Sequence, residues 1–180
     1  MPKEAIDERR RLYRTQAPVR IACRPITMEQ AELDPYDSAF DLPESLILAE
    51  SCRNIELDQR PLWRYLHALH PEIGRYLSLQ DKKQELLLAA LIDRELRMAV
   101  THPSIDLSEG GVSFHYPQAL QPDTRLHLIL LQERQLHVAA TARILHCRDI
   151  GGHYILGTEF VCLRDHDRQA IVRLTLRKPA

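Results

Sequence analysis

Residues 101–163 constrain the fold most, because they read as a run of short alternating strands, each stopped by turn-forming residues. Val112, Ser113 and Phe114 open a period-two stretch that ends at His115-Tyr116-Pro117. Pro122-Asp123 is a turn, and Arg125 to Gln132 is a strongly apolar strand. Gln132 to Gln135 is a charged hairpin loop. Leu136 to Cys147 then forms a long strand with Val138, Ala140, Ala142 and Ile144 on one face. Asp149-Ile150-Gly151-Gly152 turns the chain into His153 to Cys162. Strands at such regular spacing predict an antiparallel barrel or sandwich.

Two further segments fit that frame. Val19, Ile21 and Cys23 alternate with Arg20, Ala22 and Arg24, which predicts a short strand ending at Pro25. Asp165 to Arg177 begins at a helix-capping residue and puts Ile171 and Leu174 on one side, as expected of a helix that closes the barrel. Residues 1–16 form a basic arm ahead of the first strand, with Pro18 and a polar composition favouring a loop.

Between these strands lies a different kind of sequence. Met28 to Leu33 reads as a helical turn, Asp34-Pro35-Tyr36-Asp37 as a turn, and Phe40 to Pro43 as a break. Ser45 to Ser51 is ambiguous between strand and helix. From Asp58, Pro61 suits a first helical turn, with Leu62, Leu66 and Leu69 at helical spacing. After Pro71, Glu72 to Ala99 is interrupted only by Gly74 and extends to about 40 Å as a helix, or breaks at Asp81. Ile73, Leu77, Gln80, Gln84, Leu87, Leu91, Arg94 and Met98 fall at alternating spacings of four and three, a coiled-coil seam with polar central layers. The competing reading is a helix packed on its own domain, and Leu86, Leu88 and Ile92 off the seam broaden the apolar face.

Composition narrows the classes. Hydrophobic residues make up 44% and charged residues 27% of 180, as in a globular chain of one domain, or one with an insertion. The net charge of −1 gives no global attraction to nucleic acid, so no DNA partner is expected. Cys23, Cys52, Cys147 and Cys162 are scattered without a CxxC pair, which points to buried free thiols in a reducing cytoplasm. No apolar run reaches membrane-spanning length, and no metal set completes His67 and His70. No catalytic constellation, P-loop or dinucleotide fingerprint emerges, so neither enzyme activity nor a cofactor is expected.

Two short motifs carry the functional reading. Arg9-Arg10-Arg11-Leu12-Tyr13-Arg14 contains an RxxxR spacing in Arg10 and Arg14. Asp106-Leu107-Ser108-Glu109-Gly110-Gly111 contains DxSxxG in Asp106, Ser108 and Gly111. In that order, and with Gly110-Gly111-Val112-Ser113-Phe114 and Leu156-Gly157-Thr158-Glu159-Phe160, they resemble the PilZ domain family. The resemblance implies an α+β fold: a small antiparallel β-barrel whose first and second strands are separated by a long helical insertion, with a C-terminal helix. It divides a single domain, 1–180, into an arm at 1–16, the insertion at 26–100, barrel strands at 101–163 and a helix at 164–177. Ordinary members place the two motifs close together, whereas some ninety residues intervene here.

The resemblance also implies the ligand, cyclic di-GMP, and a binding set of Arg9, Arg10, Arg14, Asp106, Ser108, Gly110 and Gly111. Residue types alone support an anionic, purine-containing ligand. Guanidinium groups fork onto phosphate oxygens or guanine O6 and N7. A carboxylate accepts from guanine N1 and N2, the hydroxyl donates to phosphate, and glycine N–H groups form an anion nest. Glycine also reaches backbone conformations closed to other residues. Some PilZ proteins with a helical insertion assemble as tetramers, which implies a homo-oligomer, tetramer or dimer, through the helix at 72–99. The expectation is a cytoplasmic bacterial receptor that relays the ligand to an unknown protein effector. The alternatives are an oligomeric scaffold that no longer binds ligand, and a nucleic-acid binder using the arginine arm.

Overall fold

The computed structural model describes residues 19–96, 100–132 and 136–176. Six strands form a closed antiparallel barrel: β1 (Arg20–Ile26), β2 (His102–Ser108), β3 (Gly111–Tyr116), β4 (Arg125–Gln132), β5 (Leu136–Asp149) and β6 (Tyr154–Cys162). Their order around the barrel is β1-β2-β3-β6-β5-β4. Closure removes the open edges that a sheet of this size would otherwise expose. The long helices α2 (Glu44–Leu69) and α3 (Pro71–Leu96) follow the short α1 (Met28–Ala31), and α4 (Asp165–Leu176) is the last element among the described residues. The helical insertion therefore lies between the first and second barrel strands, as the sequence implies.

The barrel interior is the core. Val19, Ile21, Leu107, Val112, Phe114, Leu126, Leu128, Leu130, Val138, Ala140, Ala142, Ile144 and Leu156 fill it, with Ile171 and Leu174 of α4 added. Alternate residues point outward, as a pleated strand requires. β4 departs from alternation: Leu126 to Leu131 are all buried. Its outer face is covered by the segment after β1. Phe40 stacks on His127 at 4.2 Å, His127 Nε2 bonds the Pro35 carbonyl at 3.0 Å, and the Thr141 hydroxyl donates to Ala31 O at 2.7 Å.

β1 extends through Pro25 to Ile26 where the sequence predicts an end at Pro25. Beyond Ile21 β1 pairs only with β4, so one side of the strand carries no ladder and a residue without an N–H is tolerated there. The turn Asp149-Ile150-Gly151-Gly152 forms as expected. Gly151 and Gly152 take positive φ, 77° and 96°, and Asp149 Oδ1 accepts from both their N–H groups.

The chain divides into two compact units, one from the barrel with its flanking segments and one from Asp41–Ala99. In the second unit, α2 runs through Pro61, so Pro61 does not start a helix as the sequence suggests. The freed carbonyl four residues back belongs to the exposed Leu57, where water can satisfy it. Pro71 instead takes the starting position, opening α3, which passes Asp81 unbroken. Glu95 caps α2, whose N-cap is Pro43, by accepting from Glu44 N at 3.1 Å and Ser45 N at 2.9 Å. Gly74 lets the two helices meet at their turn: a Cβ there would lie 2.6 Å from His67 Cδ2. His67 packs on Trp63 at 4.9 Å.

Candidate functional site

The outer face of β2, β3, β6 and β5 carries the motif residues. Leu107, Val112, Phe114 and Leu156 point into the barrel, which turns Asp106, Ser108, Ser113 and Gly157 outward. Registers join these residues into rows. Asp106 pairs with Ser113, Ser113 with Gly157, and Gly157 with His146. A neighbouring row starts from Ser108 paired with Gly111 and ends in Glu159 paired with Arg143. These rows line a cleft of about 240 Å³, whose walls include Leu145 and Glu159.

A β-bulge stands at each end of the first row. One lies in β2 between Ser104 and Asp106, the other in β5 between Ile144 and His146. A bulge inserts one unpaired residue and re-aims the side chains beside it. Through the second bulge, Leu145 and His146 are consecutive and both exposed, where strict alternation would bury one of them.

Glycines make the floor, though for a different reason than the sequence suggests. Gly110 and Gly111 have no positive φ. Gly111 is required by closeness: a Cβ there would overlap the Thr158 carbonyl oxygen and lie 2.9 Å from its carbon and 3.1 Å from Glu159 Cα. Nearby, Phe160 N donates to Gly110 O at 2.9 Å. A Cβ on Gly157 would overlap the tip of the His146 imidazole and sit 2.8 Å from Nδ1. The imidazole therefore lies over Gly157, above bare backbone.

The turn between β2 and β3 is held from two sides. The Ser108 hydroxyl donates to Gly111 O at 3.3 Å, and Arg168 of α4 reaches Glu109 O at 3.4 Å and Glu109 Oε1 at 3.6 Å. Arg143 pairs with Glu159 at 2.7 Å and with Asp123 at 3.5 Å, which raises the guanidinium pKa, chiefly through the bond to Glu159.

Asp106, Ser108, Gly110 and Gly111 thus line one cleft. Arg9, Arg10 and Arg14 lie outside the described residues. The sequence reading did not place Ser113, Leu145, His146 or Arg168 in the binding set. They come from two strands and a helix, and only pairing register and packing bring them together. The thiols expected to be buried are partly buried and free, and burial pushes Cys23 up to about 12. Among the described residues, no group of three or more His, Cys, Asp or Glu is arranged to hold a metal ion. No helix among them is long and apolar enough to cross a membrane.

A larger hollow, about 620 Å³, runs along α2 and α3 within their own unit. Its walls carry both signs of charge, including Glu56, Arg60, Asp81, Lys82 and Glu85. Burial, and then Glu85 and Asp81, raise the Glu56 carboxyl. It contains no residue of the Asp106–Gly111 motif.

Comparison with known proteins agrees with the barrel. The PilZ domain family model matches residues 84–177, just over half of the chain, spanning the end of α3, β2 to β6 and α4. The match does not reach β1 or the RxxxR stretch. Among curated proteins, no sequence matches. The fold is similar to a tetrameric PilZ domain of Xanthomonas campestris, self-assembled through a helical bundle, with TM-score 0.53 and 18% identity over 96% of this chain and 90% of that one. The Bacillus subtilis inhibitor of motility (MotI/DgrA) aligns with TM-score 0.48 and 11% identity over 93% of this chain, which spans 50% of that protein's chain. The PilZ domain of CeSA from a cellulose-synthesising bacterium aligns with TM-score 0.31 and 22% identity, over 43% of this chain and 76% of that one. With the family model covering Asp106 to Gly111 and five of the six strands, the chain belongs to the PilZ domain family.

Proposed function

We propose that this protein is a bacterial cytoplasmic receptor for cyclic di-GMP, binding it without chemistry between the arginine arm and the cleft of Asp106, Ser108, Gly110 and Gly111. One observation carries the reading: the start of β1 is stitched to β2 beside the motif. Val19 N donates to Ser104 Oγ at 3.1 Å, and Ser104 N donates to Val19 O at 2.8 Å. Because β1 and β2 are antiparallel, going back from Val19 corresponds to going forward along β2 from Ser104 to Asp106 and Ser108. Arg14 precedes Val19 by five positions, an extended reach of up to about 17 Å. Arginines from that stretch are therefore within reach of the motif despite some ninety intervening residues.

Cleft size supports the same division of labour. At about 240 Å³ it lies below the usual range of about 300–1,000 Å³ for a small-molecule pocket, so it seats part of a cyclic dinucleotide and leaves the rest to the arm. Arg10 and Arg14 supply charge to the phosphates and guanine edges, with Arg9 alongside; Asp106 accepts from guanine N1 and N2; Ser108 and the Gly110–Gly111 amides bond phosphate. Drawing the arm onto the barrel changes the surface a protein effector meets, provided the ligand prefers one arm position.

The test is calorimetric titration with cyclic di-GMP, using GTP as control. Saturable binding weakened more than tenfold in Arg10→Ala and Arg14→Ala is expected. Folded protein that shows no binding, or mutants with unchanged affinity, would refute the site.

A second reading concerns assembly. α2 and α3 expose Ile55, Leu62, Tyr65, Ile73, Tyr76, Leu79, Leu86, Leu87 and Leu91, with Leu87 at 72% and Leu62 at 66% exposure. Large apolar side chains left exposed in this number on two paired helices suit an interaction site. The tetrameric Xanthomonas neighbour supports a second copy of this chain as the occupant, through α2 and α3. Light scattering should give a dimer or tetramer that Leu62→Glu with Leu87→Glu dissociates; a monomer at high concentration would overturn it. If assembly persists while ligand binding is absent, the scaffold alternative takes over.

A further inference from the structure

We infer that His146 is a ligand-contacting residue, donating a ring N–H to N7 of the guanine whose opposite edge faces Asp106; this rests on the receptor reading above. Four observations meet at this residue. First, His146 closes the row that Asp106 opens, with only Ser113 and Gly157 between them. Second, the bulge after Ile144 puts both Leu145 and His146 on the outer face, in the cleft wall. Third, the imidazole tip fills the space that any side chain on Gly157 would take, so the absence of a Cβ there admits the ring over the floor. Fourth, unlike Arg143 and Arg168, which are held by Glu159 and Glu109, the His146 imidazole has no hydrogen-bond or ion-pair partner among the described residues.

The row's length selects the ligand group. Three interstrand steps of about 4.8 Å set Asp106 and His146 roughly 14 Å apart at their backbones, somewhat less with barrel curvature. With the imidazole over Gly157, the floor left between the ring and Asp106 lies across Ser113, where one bicyclic base can bridge the two groups edge to edge. Guanine presents N1–H and N2–H₂ on one edge, which a carboxylate reads, and the N7 acceptor on the other, which an imidazole N–H reads. Leu145 adds an apolar surface at the same end. The arm's guanidinium groups are then free for the phosphates and the other guanine.

The experiment is calorimetric titration of the full chain, its Arg14→Ala variant, His146→Ala and His146→Gln with cyclic di-GMP and with its 7-deaza analogue, in which N7 is replaced by carbon. His146→Ala should weaken cyclic di-GMP binding about tenfold, the value of one good hydrogen bond, and His146→Gln should restore part of it. The 7-deaza analogue should bind the wild type about tenfold more weakly, with no further loss in His146→Ala. His146 is exposed, so these changes leave the fold intact. Wild-type binding that Arg14→Ala loses and His146→Ala keeps overturns this inference and leaves the receptor reading standing. A His146→Ala loss that the 7-deaza analogue does not share overturns the N7 contact. No binding by wild type overturns both.

Discussion

Gly111 and Gly157 face the same cleft, yet alanine should destabilise the barrel at the first and leave it unchanged at the second. Neither has positive φ, so alanine suits the backbone at both, and the loss of glycine's excess unfolded freedom contributes about 0.5–1 kcal/mol of stability. The difference lies in what fills the space of the new Cβ. At Gly111 it is backbone: the Thr158 carbonyl and Glu159 Cα, the latter at 3.1 Å. These atoms belong to β6 and retreat only if β3 and β6 separate, which strains the ladder from Ser113 to Tyr116. Overpacking of this kind costs about 1–3 kcal/mol, and a backbone obstacle puts it in the upper part of that range. The net expectation for Gly111→Ala is a loss of about 1–2 kcal/mol. At Gly157 the obstacle is the exposed His146 imidazole, which rotates into solvent at little cost. Gly157→Ala should therefore be within about 0.5 kcal/mol of wild type.

Calorimetric melting and urea titration followed by far-ultraviolet dichroism would measure both. For a unit of this size, the Gly111→Ala loss corresponds to a fall of roughly 4–8 °C in Tm. Gly157→Ala should melt with the wild type but bind ligand as weakly as His146→Ala, because it expels the same ring. Equal stability of Gly111→Ala and wild type, or equal losses at both positions, would refute the reasoning.

His127 supplies a pH dependence: burial, with Arg24 nearby, lowers its pKa to about 4. The unfolded chain takes up that proton near pH 6.5 and the folded chain does not, so stability present above 6.5 falls as pH drops toward 4. The loss attributable to His127 is about 2 kcal/mol at pH 5 and levels off at about 3, and His127→Gln should remove this component from the urea-derived pH profile. Asp167, 1% exposed, accepts the Tyr36 hydroxyl at 3.0 Å, so Asp167→Ala should cost about 1–3 kcal/mol in urea titration, with Asp167→Asn between it and wild type. Pro61→Ala restores a donor in the exposed middle of α2 and should raise the stability of the helical unit by about 2–3 kcal/mol, read as a later Trp63 fluorescence transition; an unchanged or earlier transition would contradict a continuous helix.

The barrel was legible because its information is local. Val138, Ala140, Ala142 and Ile144 alternate inward as read, and Asp149-Ile150-Gly151-Gly152 turns where its residues demand it. β4 was legible as a strand, while its burial on both faces was not, since Pro35 and Phe40 cover it at His127 from far away in the chain. Pro61 misled for a related reason. Its local penalty is real, but the helix continues on both sides, with α3 packed alongside, and cooperative propagation outweighs one missing bond.

The candidate site divides along the same line. Asp106, Ser108 and Gly111 occupy one turn, so a spacing pattern finds them. His146 and Gly157 mean nothing as neighbours in sequence; they meet through the β5–β6 register, in which the bulge at Leu145 is passed over. Deleting Leu145 would return β5 to strict alternation and, with the pairing beyond it kept, would leave His146 opposite Gly157 without the bulge that aims it. The bulge, not the histidine alone, is thus the element that builds this end of the cleft. A variant lacking Leu145 should remain a folded barrel by dichroism yet bind ligand at least as weakly as His146→Ala. Wild-type affinity in that variant would show that the register, and not the re-aimed side chain, is all the site requires.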